Sequence, residues 1–308
     1  MRLLWTAALI VLNACFSAPA SVSEPPGYLE KDFAELTGLF AGRWDNDRHV
    51  FFAEDAGLAA ESVAPRQHIR ILPADAADGA ASFLAERSVE GEPDRRLIHT
   101  FAINAEGETI EHRMAVPTED GVARPVEDCV FDWRRIGAQF VGRSFGEGCA
   151  AVFPRAQGDG PLAVSLTLSE TEFWVASNRG GLTNEARFRR ARVFECWTSI
   201  LRGAAHGDSG EGSNDWQFQT GVALHDQGGV ATLVTDEAEP RTIRLKLRDV
   251  DWPYGTNRPS LVLYVHEGGT ERAVSYAWAE GGAERIGINL RWIQASCTHA
   301  PDRALGDL

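Results

Sequence analysis

Lysine is almost missing: Lys31 and Lys246 stand against 28 arginines, so Schiff-base and lysine-nucleophile chemistry has almost no candidates. Positive charge is short as a whole, with 30 basic residues against 44 acidic ones and a formal net charge of −14. Phosphate backbones are held by an excess of Lys and Arg, so no nucleic-acid partner is expected. No Cys-x-x-Cys, His-x-His or His-Glu-x-x-His occurs, which removes zinc ribbons, thioredoxin-type redox motifs and helical zinc sites; no metal is expected. Beyond the first twenty residues no apolar run reaches the roughly 18 residues of a membrane-spanning helix. What remains, over 308 residues, is 44% apolar and 24% charged, the make-up of a globular chain with one large core or two small ones.

Residues 1–20 carry one positive charge and an apolar stretch from Leu3 to Leu12, the pattern of a secretory signal peptide. Leu12-Asn13-Ala14-Cys15 resembles the lipobox of bacterial lipoproteins, in which Cys15 is lipidated, whereas Ala18-Pro19-Ala20 offers an ordinary cleavage site. Both readings export the chain, to the periplasm or to the outer membrane as a lipoprotein. A lipid on Cys15 would be its one membrane attachment. Residues 21–32 read as a tether. Cys129, Cys149, Cys196 and Cys297 remain, and an even count in an oxidising compartment reads as two disulfides. Cys129 and Cys149 lie 20 apart beside apparent strands, which pairs them and leaves Cys196 to Cys297; four buried thiols are the alternative.

Leu29, Phe33, Leu36 and Phe40 recur at helical spacing after Pro25-Pro26-Gly27, predicting one amphipathic helix that ends near Gly42. The period then becomes two. Short strands are expected at 68–71, 82–87, 96–101, 109–114, 138–143, 162–168, 172–176 and 190–197, with turn signals such as Asp78-Gly79 and Glu106-Gly107 between them. The class is all-β, an antiparallel barrel or sandwich over 33–200. Residues 201–215 lack periodicity and read as a linker, and six further short strands over 216–308 read as a C-terminal β extension.

Two motifs fail on inspection. Gly207-Asp208-Ser209-Gly210 matches a protease nucleophile loop, but no oriented base accompanies it. Asp45, Asp47 and His49 imitate the start of a calcium loop, yet Val50 and Ala56 occupy the places of the required glycine and glutamate. His68, His99 and His112 fall inside strand patterns, as surface or satisfied core residues.

Taken in order, several short motifs between 33 and 197 resemble the CpcT/CpeT family of phycobiliprotein chromophore lyases. They are Leu39-Phe40-Ala41-Gly42-Arg43-Trp44-Asp45-Asn46, Phe83-Leu84-Ala85-Glu86, Pro93-Asp94-Arg95, Cys129, Phe140-Val141-Gly142 through Gly148-Cys149, and Ser177-Asn178-Arg179-Gly180. The resemblance implies a lipocalin-like antiparallel barrel with a calyx. It also implies an activity, thioether attachment of a linear tetrapyrrole to a protein cysteine. Glu86 would be the catalytic proton donor, Arg95 and Arg179 would hold propionates, and Trp44, Asn46 and Asn178 would lie at the ligand. Bland roles compete: Arg95 and Arg179 as corner ion pairs, and Glu86 as a buried acid paired with an arginine. The chain departs from the family pattern at Asp94, where a tyrosine is usual, at Asn178, where an aspartate is, and at His49 in place of a glutamine.

Three functions follow as expectations. The first is an exported binding protein for a tetrapyrrole or other apolar small molecule, requiring no cofactor. The second is an active bilin lyase. The third is a non-catalytic envelope protein with a structural or interaction role and an unidentified protein partner.

Overall fold

A computed structural model describes residues 27–58, 63–119, 121–153, 158–204, 214–252 and 255–301. The signal peptide with Cys15, residues 21–26 of the tether, and residues 205–213 of the linker lie outside the described residues. Ten strands form an antiparallel up-and-down meander: β1 (Gly42–Asp45), β2 (Gln67–Ala74), β3 (Ala80–Val89), β4 (Arg95–Asn104), β5 (Thr109–Val116), β6 (Arg124–Ile136), β7 (Gln139–Ser144), β8 (Leu162–Leu168), β9 (Glu172–Arg179) and β10 (Leu182–Arg190). The barrel closes where Trp44 of β1 pairs with Arg190 of β10. Closure removes the edges that an open sheet would expose.

The helix α1 (Tyr28–Phe40) forms where its spacing predicts and buries Leu36 and Phe40. Arg135 near the β6–β7 hairpin pairs with Asp32 and Glu35, which fixes α1 across that end of the barrel. Phe40 plugs the end, its ring 4.8 Å from Phe101, 5.3 Å from Phe83 and 6.1 Å from Phe173. Burying one such side chain stabilises by about 1.5–3 kcal/mol. Cys129 of β6 is bonded to Cys149 in the turn Glu147–Ala151, as expected. That turn lies against β6 so closely that a Cβ on Gly148 would meet the Glu127 carbonyl oxygen at 1.7 Å.

Three expectations need correction. A second helix, α2 (Asp47–Asp55), occupies the stretch that imitates a calcium loop; its Phe51 and Phe52 pack on Trp252, 6.1 and 5.8 Å away, which accounts for apolar positions no strand explains. The barrel ends at Arg190 rather than near residue 200, because β11 (Val193–Leu201) pairs with other strands. What reads as one strand over 190–197 is the end of β10 and the start of β11. Residues 293–299 form a strand of their own, β18 (Ile293–His299), set beside β11.

With β12 (Trp216–His225) and β17 (Arg285–Asn289), β11 and β18 make one four-stranded sheet. A second holds β13 (Gln227–Val234), β14 (Thr242–Val250), β15 (Ser260–Glu267) and β16 (Ser275–Glu280). Leu224, Ile243, Leu245, Leu263 and Ile293 share the core between them, making a small sandwich. Cys196 and Cys297 are bonded and stand opposite each other in the β11–β18 register, so this bridge joins the sandwich's first strand to its last. Among the described residues no helix is long and apolar enough to cross a membrane.

Candidate ligand-binding site

Period-two alternation decides which residues face the barrel interior. On β3 it turns Phe83, Ala85 and Arg87 inward; on β4 it turns Arg95, Leu97, His99 and Phe101 inward; on β5, Ile110, His112 and Met114. Above Phe40 these side chains leave a narrow chamber of about 110 Å³. Its walls are mainly apolar, from Ile69, Ile71, Leu97, Met114, Leu166 and Val175, and its upper rim carries Gln67, Arg87, Arg95, Ser177 and Glu185. Past Arg87, Arg95, Leu97 and Val152 the chamber adjoins a surface cleft of about 510 Å³ that also holds Asp94, Arg96 and Glu119.

Arg95 is the expected ligand-binding residue that reaches this space; it is half exposed, and its nearest carboxylate is Glu92 at 3.8 Å. Glu86 does not reach it. Alternation turns its side chain outward, where it accepts from Arg70 and stands 3.4 Å from Arg96; it is paired with arginine but partly exposed rather than buried, and no geometry supports the proton-donor role. Arg179 pairs with Glu147 outside the chamber. Asn178 is exposed and donates to Thr183 at 2.8 Å. Trp44 is fully buried, its indole N–H donating to the Phe40 carbonyl at 3.3 Å and the Arg190 guanidinium lying 4.2 Å above its ring. Asn46 ties the chain at both its amide atoms, donating to the Pro65 carbonyl and accepting from the Gln67 backbone N–H. Trp44 and Asn46 therefore hold the barrel seam and do not line the chamber.

Arg87, which carried no expectation, and His99 and His112, expected as surface or satisfied core residues, supply the chamber's polarity. Arg87 donates to Gln67 Oε1 at 3.0 Å. At the floor, His99 and His112 stack 5.0 Å apart, with His99 Nδ1 2.8 Å from His112 Nε2. His112 also lies flat on Phe101 at 4.3 Å and stands 3.3 Å from the Trp133 indole nitrogen. Trp133 holds that place because β7 has Gly142 beneath it; a Cβ there would come within 2.5 Å of the indole. Burial keeps both imidazoles neutral, His99 pushed down to about 4 and His112 well below its ordinary value, the latter also by His99. His99 lines the chamber, whose mainly apolar walls offer a charge few partners. The signal for both histidines is their inward parity with Leu97, Phe101 and Met114.

A second polar cluster joins barrel to sandwich. Ligand atoms of Asp45, His68 and His225 lie within 4.8 Å of one another, the closest approach to a metal constellation among the described residues. Its chemistry is that of a junction. Arg43 can only donate, so His68 Nε2, 2.9 Å from it, is an acceptor, and the ring proton sits on Nδ1, donating to Asp45 at 3.1 Å. Arg66 also binds Asp45 and reaches the Gly228 carbonyl at 2.8 Å. Two guanidinium groups against the cluster oppose a divalent cation. His225, stacked on His68, is pushed down to about 3, chiefly by burial. Nearby, Asp47 of α2 accepts from Arg248 at 2.8 Å and from Lys246 at 3.4 Å, so one of the two lysines serves this seam.

No protein-family model and no curated protein sequence matches the chain. Among solved structures, the T-type phycobiliprotein lyase CpeT from Prochlorococcus phage P-HM1 is similar at 15% identity and a TM-score of 0.29, over 51% of this chain and 96% of that one.

Proposed function

We propose that this is an exported, lipocalin-like binding protein whose barrel takes the apolar part of a small molecule into the chamber, with any acidic end among the arginines at the mouth. The carrying observation is the chamber itself. Interiors shaped for stability alone are packed to the density of organic crystals, whereas here ten strands and Phe40 enclose an apolar space that no side chain fills. Apolar walls supply the affinity of such a site, and a few polar groups set orientation. Arg87 and Arg95 are placed to receive a carboxylate.

Size selects among ligands. About 110 Å³ compares with roughly 300–1,000 Å³ for pockets that enclose drug-sized molecules, and with an engineered cavity of roughly 150 Å³ that holds benzene. A linear tetrapyrrole would keep most of its length outside, in the adjoining cleft. The lyase reading has Arg95 in its favour, at chamber and cleft alike. The chamber wall offers no free acid among the described residues, since Glu86 faces outward and Glu185 pairs with Arg187 at 2.8 Å; the carboxylates beside Arg95 are those of the cleft, Asp94 and Glu119. Export rests on residues 1–20, and two disulfides suit an oxidising compartment.

The test incubates the purified mature chain with bilins, haem and fatty acids, then with a phycobiliprotein apo-subunit. Reversible binding of small apolar ligands without adduct is expected. Covalent adduct formed faster than without the protein would establish the lyase reading, and no binding at all would leave the envelope structural role. Cys15→Ala is expected to move the protein from the membrane to the soluble fraction; a wild type that is already soluble would favour cleavage after Ala20.

A further inference from the structure

The floor of the chamber has a fixed hydrogen-bond direction. The Trp133 indole N–H has no lone pair to offer, so at 3.3 Å His112 Nδ1 accepts from it. A neutral imidazole carries one proton, which places that of His112 on Nε2, donating to His99 Nδ1 at 2.8 Å. His99 therefore accepts at Nδ1 and carries its own proton on Nε2. The relay runs one way, from Trp133 through His112 to His99, and Gly142 keeps the indole where it starts. Among the described residues His99 Nε2 has no partner, and it is not among the polar atoms sealed from solvent. His99 lines the chamber beside Phe40, 5.2 Å from its ring.

Resting on the binding reading above, we infer that the chamber selects a small uncharged carbonyl compound, its carbonyl oxygen accepting from His99 Nε2–H and its apolar body lying above, about the size of one ring. A hydrocarbon would leave that N–H without a partner, at the cost of a buried unpaired donor. An alcohol could accept there but would bring its own O–H into apolar walls with nothing to receive it. A carboxylate would need a cation at the floor. Both imidazoles resist protonation in this setting, and the arginines stand at the opposite end. Of these four classes the carbonyl alone satisfies the donor and adds no unmet group.

Two ligands of one shape separate the possibilities: cyclohexanone and methylenecyclohexane, which exchange C=O for C=CH2 on the same ring. Titration calorimetry on the mature chain is expected to give about tenfold tighter binding of the ketone, the return on one buried hydrogen bond. The infrared carbonyl stretch of the bound ketone is expected at lower wavenumber than in hydrocarbon solvent. His99→Phe is expected to abolish the preference and restore the stretch while methylenecyclohexane still binds. That variant strips His112 of its acceptor, so the infrared comparison on the unaltered protein stands on its own should it fold poorly. Equal affinities, or an unshifted stretch, would overturn the inference and leave the calyx reading in place. Failure of both ligands to bind would overturn the inference, and the calyx reading falls with it only if bilins, haem and fatty acids fail to bind as well.

Discussion

Acid should unfold this protein chiefly through its buried histidines, above the pH at which ordinary carboxylates titrate. His99 and His225 are neutral in the fold, with pKa values of about 4 and about 3 against 6.5 for an unhindered imidazole, and His112 lies well below 6.5 as well. A depressed pKa means that the unfolded chain takes the proton first. The stability these groups contribute is complete above pH 6.5 and is lost as pH falls toward the folded values. Each neutral histidine then costs about 1.4 kcal/mol per pH unit, so the three together cost roughly 3–4 kcal/mol between pH 6 and pH 5. Total stability for such domains is about 5–15 kcal/mol, so the loss is a large share of it. Asp47 and Glu35 have lowered pKa values and lose their contribution below the ordinary carboxylate range; Asp249, raised by burial and by Asp226, opposes the trend. The assay is urea unfolding at half-unit steps from pH 7.5 to 4.5. His225→Phe isolates one group, because His225 has no hydrogen-bond partner to lose among the described residues and its Nδ1 is sealed from solvent. The variant should keep its stability at pH 7.5 and show a slope shallower by about 1.4 kcal/mol per unit. A wild-type curve flat between pH 6 and pH 5, or an unchanged slope in the variant, would refute the reasoning.

Three further outcomes are expected. Replacing Cys196 and Cys297 together by Ala opens a loop of 101 residues and should cost about 4–5 kcal/mol, whereas opening the 20-residue Cys129–Cys149 loop should cost about 3 kcal/mol; a reversed order in urea unfolding would rule out the loop-entropy account. Phe40→Ala unplugs the barrel floor and should cost about 3–5 kcal/mol while admitting longer ligands, read by thermal unfolding and by a fatty-acid chain-length series. Glu86→Gln should leave fatty-acid affinity within about twofold, because an outward ion pair is worth little to the chamber, while Arg95→Ala should weaken it about tenfold, the return on one charge-assisted hydrogen bond; a large loss in Glu86→Gln would return that residue to the site.

Most strands were legible because period-two alternation is a local property, although β1, β6 and all but the end of β10 lie outside the expected strands. His68–Ile71, Ser82–Arg87 and Thr242–Arg248 sit inside observed strands for that reason. Strand ends were less so. Arg190 and Val193 differ in which sheet they join, and nothing within a few residues of either carries that information. α2 was not legible because Asp45, Asp47 and His49 give its start the spacing of a calcium loop, while its helix is justified by Phe51 and Phe52 meeting Trp252 some two hundred residues later.

The site divides the same way. Parity along β3 is enough to set Glu86 and Arg87 on opposite faces, but which face is inside depends on closure of β1 onto β10. By itself the sequence determined the β class and the helix α1, which follow from local spacing, and it favoured two disulfides from cysteine count; that α1 plugs the barrel and that Cys196 meets Cys297 across 101 residues are tertiary outcomes. Only the tertiary structure decided that two histidines thirteen residues apart share a proton at the floor of a chamber, because that contact depends on strand register and on a glycine that lets one indole lie flat.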